Sequence, residues 1–550
     1  MQEKSYLKLV ENSLKYNWEY PAFSDYEGSS FLYSDVAVQI AKIHLLFEKN
    51  GIKKGDKIAL IGKNSARWAI SYMAITSYQA VIVPILPDFK PTDVHHIVNH
   101  SDSVILFSGD AVYNSLEVSE MPALFAVISV DDFSVKYEKE DCRYAQIYLN
   151  IDEHLRAKYH GKFAPEHLNF GIENREDIAM ISYTSGTTGH SKGVILPYRS
   201  LVANILFAQE NMPLLPKDSI VSFLPMAHTY GMLFEFVFPF TLGCHINYLG
   251  KTPSPKIIVE AFQKVKPRLI LSVPLVIEKI YKNQIKPVID KGLMRILLAV
   301  PGLRLIIRKK ILKKVSNVFG GNFKEIVIGG AALNHEVEQF FKKIKFKFTI
   351  GYGMTECGPL ISYASWDSLK LYSCGRPVDT LDVKIDSEDE FNKPGEIMVK
   401  GDPIMLGYYK NEEASKAVLT EDGWLRTGDL GVIDVKKNIF IKGRSKSLIL
   451  GPSGQNIYPE EIEDKLNNLP YAQESLIVQR ENKLVALIYP DLVTMGKKNI
   501  SENRLLHIWE TKKQHINSEL PKYMNVATIE IHTEEFQKTP KRSIKRYLYN

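Results

Sequence analysis

Cysteine is scarce in this chain: four in 550 residues (Cys142, Cys244, Cys357, Cys374), scattered without the short spacing shared by metal-binding cysteines. That argues against a disulfide framework and a zinc module, and it places the protein in a reducing, cytoplasmic compartment. There is no large excess of one charge. Sixty-nine basic residues face 63 acidic ones, and the net +6 fits anionic ligands weakly, with no nucleic-acid partner expected. The N-terminus, Met1-Gln-Glu-Lys-Ser-Tyr6, carries both signs of charge and no apolar core, so it is not read as a secretory leader. Trp68 to Pro87 runs without a charge, but it holds Ser71, Thr76, Ser77, Gln79 and two prolines. It reads as a buried helix followed by a strand over 80–85, not as a membrane span. Internal repeats and low-complexity segments are also missing.

What is present is the composition of a soluble globular protein, 45% hydrophobic and 24% charged, with a length that suggests three or four structural units. From about residue 30 to 430, strand-like runs alternate with helical patterns: 57–61, 80–85, 104–107, 125–130, 269–272 and 325–328. That alternation predicts an α/β fold, a large N-terminal domain of parallel sheets wrapped by helices. After about Thr380, short strands separated by Gly, Pro and Asp predict a distorted β-barrel or a small antiparallel sheet. From near Lys446 the pattern becomes a small α+β unit, with helices over 459–469 and 504–520 and strands over 474–479 and 483–489. The expected division is 1–445 and 446–550.

One segment has almost nothing to bury: Tyr183-Thr184-Ser185-Gly186-Thr187-Thr188-Gly189-His190-Ser191-Lys192-Gly193. Its glycines let the backbone approach a ligand closely, and its hydroxyls, freed N–H groups and single ammonium suit a polyphosphate. It follows a core strand at 178–182 and precedes the β-rich run 194–197, so it joins two strands, with a helix starting near Tyr198. A Walker loop would need G-x-x-x-x-G-K-[ST] opening a helix, and this loop fails that test.

Further segments repeat the theme. Gly351-Tyr352-Gly353-Met354-Thr355-Glu356 sets a flat ring, a hydroxyl and a carboxylate between glycines, and a hard cation favours carboxylate and phosphate oxygens. Gly329-Gly330-Ala331-Ala332 is a run of small residues. Asp422-Gly-Trp-Leu-Arg426-Thr427-Gly428-Asp429 is followed by Gly443-Arg444-Ser445-Lys446. Phe223-Leu-Pro-Met-Ala-His228 closes a strand with a histidine, and Val273-Pro274-Leu275-Val276-Ile277-Glu278-Lys279-Ile280-Tyr281 and Gly451-x-x-Gly454-Gln-Asn456-Ile-Tyr-Pro459 complete the set.

In this order the segments resemble the adenylate-forming superfamily of acyl-CoA synthetases, luciferases and peptide-synthetase adenylation domains. They are nearest to bacterial AMP-forming medium- and long-chain fatty acid–CoA ligases. The phosphate loop departs from the family form Y-T-S-G-T-T-G-x-P-K-G once, with Ser191 for proline. The usual arginine of V-P-R-x-x-E-K-x-Y is Leu275. The resemblance implies that Thr184, Ser185, Gly186, Thr187, Thr188, Gly189 and Lys192 hold the ATP phosphates, and that Gly330, Ala331, Tyr352 and Gly353 line the adenine. Thr355 would meet the α-phosphate and Glu356 would hold Mg²⁺. Asp429 would accept the ribose hydroxyls, with Arg444 near ribose and phosphate. Lys446 would be the hinge of a mobile C-terminal domain, and His228 would lie beside the reacting carboxylate.

The resemblance breaks at the family's catalytic lysine, expected in T-x-x-G-K-I-x-R. Here the stretch is Thr539-Pro540-Lys541-Arg542-Ser543-Ile544-Lys545-Arg546, with Ser543 at the lysine position. Lys541 and Lys545 flank it at roughly 6.6–6.8 Å along an extended segment. Lys541 is the first candidate to replace it and Lys545 the second. The implied activity is formation of acyl-AMP from a fatty acid and ATP, then transfer to coenzyme A. Transfer to a carrier-protein thiol and a weakly catalytic acyl-adenylate-binding protein are the alternatives. ATP, Mg²⁺ and coenzyme A are the expected cofactors and co-substrates, with a homodimer among the possible states. The cationic amphipathic pattern at 301–314, apolar at 303, 306, 307, 311 and 312, is either a solvated surface helix or a peripheral membrane contact.

Overall fold

The computed structural model describes residues 4–184, 191–251, 253–289, 303–451, 455–539 and 544–549. Its centre is an eight-stranded sheet. Across it run Gly407–Tyr408, Lys192–Pro197, Ile178–Thr184, Val81–Ile85, Lys57–Ile61, Ser103–Ser108, Ala126–Ser129 and Val135–Glu138. The five strands from Ile178–Thr184 to Ala126–Ser129 are parallel, and the outer ones are antiparallel. Parallel strands covered on both faces read as continuous apolar runs. Accordingly Ile58 and Leu60 enter the main core, while Ala59 and Ile61, pointing the other way, enter a second one. The helix Ala66–Ser77 is buried beside this sheet apart from Arg67, and is capped by Ser65 Oγ accepting from Trp68 N at 3.1 Å. The charge-free run from Trp68 is therefore core, as the sequence predicts. Among the described residues no helix is long and apolar enough to cross a membrane.

Two smaller sheets complete the α/β body. One orders Ser219–Ser222, His245–Tyr248 and Pro21–Asp25 in parallel, with Ser30–Leu32 antiparallel at the edge. The other is all parallel: Leu269–Ser272, Glu325–Ile328 and Phe348–Ile350. Of the two forms expected after Thr380, the distorted barrel is corrected and the small antiparallel sheet is found: Leu381–Asp386, Gly395–Gly401, Leu425–Ile433 and Ile439–Arg444. Four strands are too few to curl around an interior of side chains.

The C-terminal residues build a core of their own, from Ile462, Leu466, Ala486, Ile488, Leu505 and Trp509, separate from the one spanning Tyr6 to Ile439. It packs the helices Pro459–Leu466 and Glu502–Glu519 on the strands Ala472–Arg480, Lys483–Pro490 and Val526–Ile531. Polar contacts tie it to the larger body. Asn334 Nδ2 donates to Asp464 Oδ1 at 3.0 Å, Lys442 pairs with Glu461 at 3.2 Å, and Lys282 Nζ donates to Asn467 O at 3.4 Å.

The helix Leu303–Val318 contains the described part of the cationic segment. Ile307, Ile311 and Val315 are spent on the main core, leaving Lys309, Lys310, Lys313, Lys314 and Ile306 exposed.

Candidate active site

The hairpin that carries the candidate phosphate loop pairs Thr184 with Lys192 and Tyr183 with Gly193. Ser185, Gly186, Thr187, Thr188 and Gly189 lie outside the described residues, which bracket them on both sides. Gly193 is required by space: a Cβ there would stand 2.9 Å from Ile181 Cγ2 and 3.1 Å from the Tyr183 ring. The Tyr183 hydroxyl is 2.7 Å from His100 Nδ1, which anchors the base of the hairpin. On its outer side, Gly407–Tyr408 adds as a short strand, and Tyr409 N donates to Gly193 O at 2.7 Å. This brings the Tyr408 ring under Lys192, whose ammonium lies 4.9 Å from the ring centroid. The Tyr408 hydroxyl donates to Glu356 Oε1 at 3.0 Å. Burial and the adjoining Glu356 carboxylate push the Tyr408 phenol well up, so it remains a neutral donor.

Glu356 sits in the turn Thr355–Cys357, just beyond the strand Phe348–Ile350. The Asn204 side chain holds that turn: Nδ2 donates to Cys357 O at 3.2 Å, and Oδ1 accepts from Leu360 N at 3.0 Å. Thr355 is buried and Glu356 half-buried. Gly353 leaves no room for a side chain, because a Cβ would stand 2.1 Å from Pro359 O. The neighbouring Tyr352 donates its hydroxyl to Asp429 Oδ2 at 2.8 Å, and Arg444 Nε lies 3.3 Å from Asp429 Oδ1. Asp429 and Arg444 face each other across adjacent strands. Burial raises the Asp429 carboxyl above its ordinary value, and Arg444 and the Tyr352 hydroxyl pull it back toward ionisation. Lys446 is exposed in the turn Ser445–Ser447 that leaves this strand pair.

His228 ends the loop from Phe223, and its Nδ1 accepts from Tyr230 N at 3.3 Å. Two side chains fix the loop. Asn64 Nδ2 donates to Leu224 O at 2.7 Å, while its Oδ1 accepts from Met226 N at 3.1 Å. From beneath, Glu235 Oε2 accepts from Phe223 N and Leu224 N, each at 2.9 Å. Glu235 is wholly buried, and burial holds its carboxyl well above the usual range. The Tyr230 hydroxyl donates to Val327 O at 3.1 Å, and its ring limits Gly329, where a Cβ would stand 3.1 Å from Cζ. The His228 loop thus abuts the segment carrying Gly330 and Ala331, which are exposed. Gly330 has φ +87°, a conformation that suits glycine.

The structure therefore gathers Lys192 with Glu356, Tyr352 with Asp429 and Arg444, and the His228 turn with Gly329 and Gly330. Lys541 and Ser543 lie outside the described residues. Arg546 is described: its guanidinium forks onto the buried Glu463 carboxylate, with Nη1 to Oε1 at 2.8 Å and Nη2 to Oε2. Tyr408, Asn64, Glu235 and Asn204 were not legible as site residues. Glu235 alone left a sequence signal, a single carboxylate inside the apolar run from Gly231 to Phe240.

Among the described residues no three His, Cys, Asp or Glu side chains gather as a metal-binding group. A lone half-buried carboxylate such as Glu356 fits Mg²⁺, which keeps most of its ligands as water and substrate phosphate oxygens.

The model of the AMP-binding enzyme family matches residues 10–409. The chain belongs to that family. It is similar to the long-chain-fatty-acid–CoA ligase FadD15 of Mycobacterium bovis, 27% identical over 471 residues that cover 81% of this chain and 74% of that one. It is also similar to the long-chain-fatty-acid–[acyl-carrier-protein] ligase AEE15 of Arabidopsis thaliana, 26% identical over 552 residues, covering 88% and 74%. Among solved structures, the anthranilate CoA ligase AuaEII in complex with anthranoyl-AMP superposes with a TM-score of 0.78 at 19% identity, covering 99% of this chain and 96% of that one. The likeness of fold to that structure is thus nearly full-length, extending into the C-terminal unit beyond residue 409.

Proposed function

We propose that this protein activates a medium- or long-chain fatty acid with ATP to acyl-AMP, releasing pyrophosphate, and then transfers the acyl group to coenzyme A. The observation that carries the reading is the joining of the Lys192 ammonium and the Glu356 carboxylate through one tyrosine, with the Tyr352–Asp429–Arg444 cluster on the same connected segments. Such an array matches the charge sequence of a nucleoside triphosphate: a cation for its outer phosphates, a carboxylate for their metal, an acceptor for its ribose.

In this reading Thr184 and Lys192, with Ser185, Gly186, Thr187, Thr188 and Gly189, orient the β- and γ-phosphates. Thr355 holds the α-phosphate, and Gly330, Ala331, Tyr352 and Gly353 flank the adenine. Asp429 accepts the ribose hydroxyls and Arg444 lies beside them. Glu356 would hold Mg²⁺, which neutralises charge on the phosphate oxygens. His228 positions the carboxylate whose oxygen attacks the α-phosphorus; the P–O bond to pyrophosphate breaks as the acyl–O–P bond forms. Preorganised donors supply most of the rate effect, because charge builds on phosphate oxygens in a fixed site. Lys541, with Lys545 second, supplies the cation the family places where Ser543 stands. In the second step a thiol attacks the acyl carbon and expels AMP.

Residues 446–550 act as a lid that swings about Lys446, a reading supported by their separate core and the polar nature of the contacts named above. Where the 303–318 helix meets a membrane, it would do so mainly through its exposed lysines and an anionic surface, since Ile307, Ile311 and Val315 are already used in the core and Ile306 is left exposed. Transfer to a carrier protein is the second reading, favoured by the similarity to the acyl-carrier-protein ligase.

The test is ATP–pyrophosphate exchange on the purified protein across fatty acids of increasing length, without coenzyme A. Exchange that peaks at one chain length supports adenylation and names the substrate. Nucleotide binding without exchange for any acid refutes it and favours a weakly catalytic binder. Coenzyme A or a carrier protein added afterwards separates the two acceptors.

A further inference from the structure

Tyr408 lies outside every segment that points to nucleotide chemistry. It sits in a two-residue strand, Gly407–Tyr408, that closes one edge of the central sheet more than 200 residues after its partner strand Lys192–Pro197. Three independent ties fix it. Its backbone pairs with Val194, its own N donates to Ser415 Oγ at 2.8 Å, and three residues earlier Met405 N donates to Glu356 O at 2.9 Å. The segment from 405 to 408 therefore grips the Glu356 turn and the Lys192 strand together. The buried side chain continues this bridge: its hydroxyl donates to Glu356 Oε1 at 3.0 Å, and its ring carries the Lys192 ammonium at 4.9 Å.

The chemistry of the bridge is directional. A phenol that donates to a carboxylate becomes more electron-rich, and a more electron-rich face attracts a cation more strongly. The same ring is a neutral spacer. Without it, a flexible lysine and a nearby carboxylate are free to collapse into a direct ion pair, and each would cancel the charge the other must offer to a ligand.

We propose that Tyr408 is a positioning residue that holds the Lys192 ammonium and the Glu356 carboxylate apart and aimed, so that a metal–nucleoside triphosphate meets both at a fixed separation. The inference rests on the adenylation reading above, in which Tyr408 only links the two charges, and gives that side chain a role of its own. It separates two functions within one side chain: the hydroxyl governs the metal end and the ring governs the phosphate end.

Tyr408→Phe and Tyr408→Leu test it on the full chain. Mn²⁺ binding is followed by electron paramagnetic resonance in the presence of α,β-methylene-ATP, and binding of the same analogue without metal by calorimetry in EDTA. The Mg²⁺ concentration for half-maximal pyrophosphate exchange is the third readout. Tyr408→Phe is expected to weaken Mn²⁺ binding and raise the Mg²⁺ requirement about three- to tenfold, the loss of one charge-assisted hydrogen bond, while metal-free analogue affinity stays within twofold. Tyr408→Leu is expected to weaken the metal-free affinity as well, by a further factor of about three. Mn²⁺ affinity and Mg²⁺ requirement unchanged in Tyr408→Phe would overturn the inference. So would equal losses in all readouts for both variants accompanied by a lowered melting temperature, the mark of general loosening. Native protein that shows neither exchange nor analogue-dependent Mn²⁺ binding would remove the adenylation reading itself, an outcome visible before any variant is made.

Discussion

Replacing Glu235 by glutamine is expected to make the protein less sensitive to rising pH. Glu235 is wholly buried under the His228 loop, and burial raises its folded-state pKa well above the ordinary 4.5. Between 4.5 and that higher value the folded chain keeps a proton that the unfolded chain has lost. Stability from this group is therefore complete below pH 4.5 and is lost as pH rises toward the folded value, at about 1.4 kcal/mol per pH unit. Glutamine resembles the protonated acid in shape, can still accept from Phe223 N and Leu224 N, and does not titrate. The residues from Tyr6 to Ile439 share one core. An unfolding unit of that size has an entropy of about 0.9 kcal/mol/K, so the gap in melting temperature between variant and native should widen by about 1.5 °C per pH unit. Differential scanning fluorimetry from pH 5 to 8, both proteins side by side, reads this directly because all other titrating groups cancel. Glu235→Ala serves as a control: it strands two buried N–H groups and should cost about 2–5 kcal/mol with no such pH trend relative to the glutamine variant. A constant gap between native and glutamine proteins across the range would refute a buried, neutral Glu235.

Asp429→Asn should raise the KM for ATP by about tenfold or more, because one oxygen able to accept becomes an NH₂ that confronts the Tyr352 hydroxyl or the Arg444 guanidinium; steady-state exchange kinetics with ATP varied would show it. Arg546→Ala should leave Glu463, 7% exposed, without its fork and destabilise the C-terminal unit by about 3–5 kcal/mol, seen as faster proteolysis within 455–549 while the larger body stays resistant.

Much of the fold was legible because its signals are local. The strands at 57–61, 269–272 and 325–328 fall where alternation and apolar runs place them, and the hairpin 178–197 with a helix from Tyr198 follows the glycine and proline punctuation. After Thr380 the sequence left a barrel and a small antiparallel sheet both open, because strand patterns report alternation and not closure; the sheet is what forms. The helix from 303 shows the same limit from another side. Its apolar stripe was visible, but nothing local distinguishes a stripe that faces lipid from one that packs Ile307, Ile311 and Val315 into a protein core. Candidate site residues stand out in the sequence where glycine and hydroxyl density is unusual, as at 183–193 and 351–356. Tyr408 and Asn64 were not, since each owes its position to partners more than 50 residues away: Glu356, and Leu224 with Met226.

The short edge strand at Gly407–Tyr408 also has a bearing on how the protein is made. The strand Lys192–Pro197 leaves the ribosome roughly 200 residues before the segment that covers its outer edge. At about 5–20 residues per second, that edge stays uncovered for about 10–40 s of synthesis. During that interval Val194, Ile195 and Leu196 present unpaired backbone beside an apolar face, the kind of surface on which nascent chains associate with one another. Slowing translation between codons 197 and 407 should therefore increase the share of newly made protein that needs a chaperone, whereas the same slowing after residue 410 should not.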